Sequence, residues 1–223
     1  MKTVAKGLVS AALGLVAFGL MLFLPAGTFH YWQAWVFLAV FALSTWIPSV
    51  YLMRANPAAL DRRMRGPFAE TRPLQRIVIA ALFICFPAMF VVSALDHRFG
   101  WSPVPASISL VGDVLVAVGL GIAMLVVIQN GYAAVNVTVE AGQQLVSTGL
   151  YGLVRHPMYT GNVILMLGIP LALGSYWGLI LVIPGLIVLA MRIRDEEDLL
   201  EHDLSGYREY THQVRYRLVP YVW

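Results

Sequence analysis

Charge is scarce in this chain. Asp, Glu, Lys and Arg make up 12% of its 223 residues, about half the roughly 25% of a soluble domain. With 59% hydrophobic residues and a mean hydropathy of +0.75, too little polar surface remains for a water-soluble globule, and the chain reads as an integral membrane protein. Cysteine is nearly absent, and Cys85 alone excludes an internal disulfide. Histidine is missing from the interior of the apolar runs: His30 and His97 sit at run ends, and His156, His202 and His212 lie outside them. A b-type haem would therefore lack axial ligands inside the membrane, and no metal-ligand spacing occurs. Ionisable groups at mid-membrane are lacking too, apart from Asp113 near the start of one run, which gives little to a proton or ion pump. The net charge of +3 and pI near 9.1 do not point to nucleic acid, because the basic residues fall between apolar runs, where membrane topology accounts for them.

Four apolar runs are long enough to cross a core of about 30 Å: Gly7–Leu24, Trp32–Met53, Ile77–Leu95 and Ile108–Ile128. The first could be a signal peptide, but no small-x-small cleavage site follows, and a first span is the better reading. A fifth region, Asn162–Met191, is broken by Pro170, Gly174, Ser175 and Pro184. The loop from Arg54 to Arg76 holds Arg54, Arg62, Arg63, Arg65, Arg72 and Arg76, whereas the alternate loops hold only Arg98. The Arg-rich side is expected to be cytoplasmic. Four crossings then return the chain to the cytoplasm at Gln129, where the basic tail from Arg192 also belongs. The fifth region is accordingly expected to be a helical hairpin turning near Leu173–Tyr176, with its second arm emerging from the bilayer through Asp195 to Leu204. Gly206-Tyr207 would end that arm, leaving Tyr207–Trp223 as an aromatic tail at the interface. The expectation is an all-α membrane protein of about five to six transmembrane helices in a single domain, with four spans in 1–129. Residues 130–223 would supply a loop, a hairpin and a tail around a cytoplasmic pocket.

Most of the remaining ionic chemistry is gathered in two stretches, Gly149–Gly161 and Arg192–Glu197. Asn130–Thr148 is polar and β-branched, hence a non-helical loop, serving either as a pocket wall or as an ordinary connector. Its Asn136-Val137-Thr138 triplet matches a glycosylation sequon by chance if the loop is cytoplasmic. In Arg155-His156-Pro157-Met158-Tyr159, Pro157 restricts His156 to extended backbone and is suited to the first position of a helix. Free N–H groups would then lie beside Arg155 and His156, the outline of an anion or polar-ligand site. Taken alone, the same residues also read as an interfacial anchor with Tyr159 in an aromatic belt. Arg192 and Glu196 are i, i+4 neighbours on one helix face. An Arg can grip a carboxylate or phosphate and a Glu can accept from an amine or ribose hydroxyl, or the set is simply a solvated helix start.

The order and spacing of these motifs resemble the isoprenylcysteine carboxyl methyltransferase family and, more loosely, the related phospholipid methyltransferases. The resemblance runs from about Asn136 to Pro220. It rests on Gly149 and Tyr151, Arg155 to Gly161, Glu196-Glu197, Tyr207 with Tyr210, and Arg217 with Pro220. It implies an S-adenosylmethionine-dependent membrane methyltransferase. Cofactor contacts are implied at Asn136, Gln143, Gln144, Leu145, Val146, Tyr151, Arg155, His156, Pro157, Met158, Tyr159 and Glu196, and a substrate-side arginine at Arg192. A lipid-borne or prenylated small-molecule or peptide acceptor is implied. If the acceptor is a carboxylate, Arg192 orients it and no base is needed. If it is a lipid amine, a base must take a proton, and Glu197 is the candidate. A non-enzymatic membrane scaffold or small transporter is the reading from another class, and it predicts no cofactor affinity.

Overall fold

The computed structural model describes residues 2–58, 72–133, 138–139 and 142–223, with side chains from residue 12. Helices dominate because backbone N–H and C=O groups in a bilayer must be paired within their own segment. Among the described residues the α-helices are α1 (Lys2–Ala26), α2 (Trp32–Ala55), α3 (Pro73–Phe99), α4 (Ala106–Gln129), α5 (Pro157–Ala172), α6 (Val182–Asp203) and α7 (Tyr207–Gln213). Short 3-10 turns at Gly149–Gly152 and Trp177–Leu181 precede α5 and α6. No strand occurs among the described residues. Among the described residues, four helical stretches are long and apolar enough to cross a membrane: Trp32–Ala55, Pro73–Phe99, Ala106–Gln129 and Trp177–Asp203. Ala12–Ala26 and Pro157–Ala172 are shorter apolar helices. The chain is an all-α, multi-pass integral membrane protein.

It packs as two compact units. The first comprises Met1–Ile47, Ile84–Val118 and Ile164–Pro184. Its interior holds Leu22, Tyr31, Phe37, Met89, Phe90, Val116, Met166, Ile169 and Leu173. Phe18 packs against Phe41 and Phe90 with ring centroids 4.8 and 5.1 Å apart. The hairpin tip expected near Leu173–Tyr176 is there: α5 ends at Ala172, and Gly174 takes a φ of +69°, a conformation that favours glycine. Polar bonds secure the tip. Tyr31 donates its hydroxyl to the Leu173 carbonyl at 2.6 Å. The buried Asp96 carboxyl accepts from Ser175 Oγ at 2.5 Å, from Ser102 Oγ at 2.6 Å and from the Ser102 amide at 2.7 Å. Backbones approach closely here as well. A Cβ on Gly112 would lie 2.1 Å from the Ala172 nitrogen, so α4 can rest on the end of α5 only through glycine. Asp113, on the same helix, is 5% exposed, and neither carboxyl oxygen has a hydrogen-bond partner among the described residues.

The second unit comprises Pro48–Phe83, Gly119–Val163 and Gly185–Trp223. It carries almost all of the chemistry singled out above. Arg72 forks onto Asp195 at 2.9 and 2.6 Å, while Gln75, fully buried, donates to Asp195 at 2.6 Å and to the Arg192 carbonyl at 3.3 Å. The start of α3 is thereby fixed to α6. Leu189, Ile193 and Leu218 form a small apolar core with Tyr159, Val163 and Trp223 against it. Leu204, Tyr207 and Tyr210 form another with Val139, Leu145, Leu200 and Val214. The emerging arm ends at Asp203, one residue from the expected Leu204, and Gly206, at a φ of +81°, marks the expected break before α7 begins at Tyr207. One expectation is corrected here. Tyr207 and Tyr210 are each 3% exposed, so this part of the tail is packed into protein, because α7 turns its i, i+3 aromatic pair inward.

Candidate functional site

Pro157 opens α5, as its fixed φ and missing N–H favour, and this places Arg155 and His156 on the approach to the helix. The approach is clamped from behind by the chain's last stretch. The Arg155 amide donates to the Tyr216 carbonyl at 2.8 Å, and the His156 amide to the Arg217 carbonyl at 2.9 Å. Thr160 Oγ donates to the Leu218 carbonyl at 2.8 Å.

The same clamp has an ionic centre in Glu197, buried at 6% exposure. One carboxylate oxygen accepts from Arg155 Nε at 2.9 Å and lies 3.1 Å from His156 Nε2. The other accepts from Arg217, whose Nε is at 2.8 Å and whose terminal nitrogen is at 2.7 Å. The Arg155 and Glu197 side chains are 9% and 8% exposed. In so dry a place each charge depends on the others, since removing one member leaves an uncompensated buried charge.

One residue earlier, Glu196 points elsewhere. It accepts a short hydrogen bond from the Tyr159 hydroxyl, which in turn accepts from Arg192 Nε at 2.8 Å. The Arg192 guanidinium carbon stands 5.9 Å from the Tyr159 ring centroid. Arg192, at 6% exposure, is therefore not a solvated helix-start charge, and Arg155 is not a surface anchor.

These groups face a cavity of about 500 Å³ within the second unit, in the size range of small-molecule sites. Its wall takes in Gln143 to Val146, Tyr151, Arg155 to Tyr159, Arg192 and Glu196. Of the residues picked out from the sequence, Asn136 lies outside the described residues. Glu197, the candidate base, is not in the wall, and both its oxygens are taken by the clamp described above. The tail, expected to cover the pocket, contributes α7 through Tyr207 and Tyr210, while residues 214–223 brace the His-Pro turn instead.

Other wall residues had not been foreseen. Ile79, Leu82 and Phe83 of α3 give the cavity an apolar side, and Phe83 is 57% exposed. Nothing in an apolar run distinguishes such residues from their neighbours. Asn130, Tyr132 and Asn162 also line it. Asn130 donates to the Tyr151 hydroxyl at 3.1 Å, and the Tyr210 hydroxyl donates to the Tyr151 carbonyl at 2.7 Å. The spacing of Tyr207 and Tyr210 was a usable sign. Burial raises the Tyr151 phenol to about 12. It raises Tyr207 and Tyr210 further, with the Glu197 and Glu196 charges adding at Tyr207 and Tyr151 adding at Tyr210. All three thus remain neutral hydrogen-bonding groups near pH 7.

The donor set suits an amphipathic cofactor with a polar end and a flat end. The wall carries amides, one carboxylate and a helix N-terminus together with tyrosines and Leu145, Leu200 and Leu204.

Part of the chain is similar to known proteins. The chain is 35% identical over 85 residues to Delta(14)-sterol reductase TM7SF2 of Mus musculus, a stretch that covers 37% of this chain and 20% of that relative. The chain thus spans about a fifth of the relative's length. Residues 108–204, from α4 through α6 and including the wall from Asn130 to Leu204, match the family model described as phospholipid methyltransferase, which supports a methyltransferase-type membrane enzyme connected with lipids.

Proposed function

We propose that the chain is an S-adenosylmethionine-dependent membrane methyltransferase that acts on a lipid-borne acceptor, with carboxyl O-methylation of an isoprenylcysteine-like group as its reaction. The observation that carries this is one cavity whose wall joins the loop Gln143–Val146, the Arg155–Tyr159 turn, Arg192 and Glu196. The bound cofactor would supply an electrophilic methyl on a sulfonium, held by the loop amides, Tyr151, the start of α5 and Glu196. The residues of the chain then position the partners and exclude water, and such alignment is worth roughly 7–11 kcal/mol. Arg192, steadied by Tyr159, orients the acceptor. Glu197 acts as a positioning residue for Arg155 and His156.

The choice between acceptors follows from the acids. An amine acceptor must lose a proton, yet Glu197 is enclosed by cations and Glu196 accepts from Tyr159. A carboxylate acceptor is already ionised at neutral pH and asks for no base. Phospholipid amine N-methylation is therefore the less favoured variant. The apolar wall of Ile79, Leu82 and Phe83 suits a prenyl or acyl tail. The concentration of arginines on this side of the sequence supports a cytoplasm-facing site.

A second reading is favoured by the sterol reductase match: a reductase taking hydride from a nicotinamide dinucleotide. Calorimetric titration of the purified chain with S-adenosylhomocysteine and with NADPH separates the two. Binding of the first, weakened by His156→Ala and by Glu196→Ala, is the expected result. Binding of NADPH alone would replace the methyltransferase reading, and affinity for neither would leave a scaffold.

A further inference from the structure

Several polar side chains of the cavity wall already have partners in the protein. Tyr151 is bonded to Asn130, Tyr159 to Arg192 and Glu196, and Arg155 and His156 meet Glu197. Asn162 differs. It belongs to the wall and is half-buried, yet its side chain has no hydrogen-bond partner among the described residues. Neither of its amide atoms is sealed by packing, as the Tyr207 hydroxyl and the Asp113 carboxyl are. An amide open to a cavity and unmatched within the protein is available to a ligand.

Helix geometry indicates which part of a ligand it meets. Asn162 lies three residues beyond Tyr159 on α5, so the two share a face about 4.5 Å apart along the axis. Tyr159 marks the level of Arg192, whose Nε donates to its hydroxyl, and of Glu196. Val163, the next residue, packs against the cluster of Leu189, Ile193 and Leu218. Passing from Tyr159 to Asn162 thus leads away from the acids and towards Leu189, into the apolar length of the helices. A second charge there is disfavoured by its surroundings, and a cation would also be repelled by Arg192. The matching group is neutral. The Asn side chain offers N–H donors and a carbonyl acceptor, and a secondary amide returns the same pair.

We propose that Asn162 recognises an amide in the methyl acceptor, set beside the carboxylate that Arg192 orients and ahead of the apolar tail. This rests on the reading of the site as a carboxyl methyltransferase. It narrows the acceptor to an acylated amino acid with a lipid tail. That chemistry has two sources, an N-acyl amino acid with its tail on the amide, and an S-prenylated cysteine with its amine acylated.

The test is methyl transfer from S-adenosylmethionine by the full chain in detergent, followed on two matched pairs of acceptors. N-palmitoylglycine against a fatty acid of equal length probes the acyl source, and N-acetyl-S-farnesylcysteine against S-farnesylthiopropionate the prenyl source. In one pair the amide-bearing member should be favoured about 3- to 10-fold in kcat/KM, and that pair identifies the source. The preference should vanish in Asn162→Leu, and in Asn162→Ala should leucine not fit, while calorimetric affinity for S-adenosylhomocysteine stays unchanged. No preference in either pair, or one that persists in the variants, overturns the role of Asn162 and leaves carboxyl methylation standing. A fall in S-adenosylhomocysteine affinity overturns it too, by giving the amide to the cofactor. If no carboxylate is methylated although S-adenosylhomocysteine binds, the carboxyl reading and this assignment both fall.

Discussion

Glu197→Gln separates a structural tie from a catalytic acid. The substitution keeps the shape of the side chain and removes its charge, leaving the Arg155 guanidinium at 9% exposure beside His156 at 4%, without a counter-ion. Breaking a buried pair from one side costs about 3–5 kcal/mol. The Gln amide still offers one acceptor oxygen, and Arg217 at 32% exposure can turn to water, so the low end, about 3 kcal/mol, is expected. For a chain of this size each kcal/mol lowers the melting temperature by roughly 2–4 °C, which gives a fall of roughly 6–12 °C by circular dichroism in micelles. Affinity for S-adenosylhomocysteine should drop with it, because the Arg155–His156 turn loses its brace. Raising salt should change little, since the pair is dry. Arg217→Gln should cost about 1 kcal/mol or less. The refuting result is Glu197→Gln melting with the unaltered chain and binding ligand normally while turnover disappears. That would make Glu197 a participant in the reaction.

Three further outcomes follow from the geometry. Tyr159→Phe removes the hydroxyl between Arg192 and Glu196 and should weaken S-adenosylhomocysteine roughly tenfold by calorimetry, since hydrogen bonds to charged groups are worth about 1.5–3 kcal/mol; unchanged affinity would show that the relay does not shape the pocket. Gly161→Ala would place a Cβ 2.8 Å from the Gly119 carbonyl oxygen and 3.2 Å from Ile122, costing about 1–3 kcal/mol, and an unaltered melting curve would contradict it. The Tyr151 phenol, raised in the folded state to about 12 from 10.0, holds its proton more tightly folded than unfolded. Its contribution to stability is whole below pH 10 and is lost as pH climbs towards 12, at about 1.4 kcal/mol per unit. A melting temperature flat from pH 7 to 9.5 and falling above it, with a shallower fall in Tyr151→Phe, is expected.

Much of this architecture could be read from local pattern. Apolar runs between loops located the long helices, Pro157 located the start of α5, and Gly174-Ser175 located the hairpin tip, because each acts within a few residues of itself. The i, i+4 spacing of Arg192 and Glu196 put them on one face for the same reason. What escaped was long-range. Nothing near Glu197 says that Arg217 will reach it, so it reads as a candidate base when it faces the clamp and Glu196 alone the cavity. Ile79, Leu82 and Phe83 were invisible because a span residue that lines a cavity has the same composition as one that meets lipid. Tyr207 and Tyr210 were read as interfacial because aromatic residues after a membrane helix commonly are, and only packing against Leu145 and Leu204 turns them inward.

The meeting of residues 155, 197 and 217 on a single carboxylate also has a consequence in time. During synthesis the chain emerges N-terminus first, so the spans enter the bilayer well before Arg217 and Leu218 leave the ribosome. Until then Arg155 and His156 lack the carbonyls that receive their amides, and Glu197 lacks its second arginine. The clamp can therefore close only once residues 216–218 have been made, after the turn and the helix that it braces.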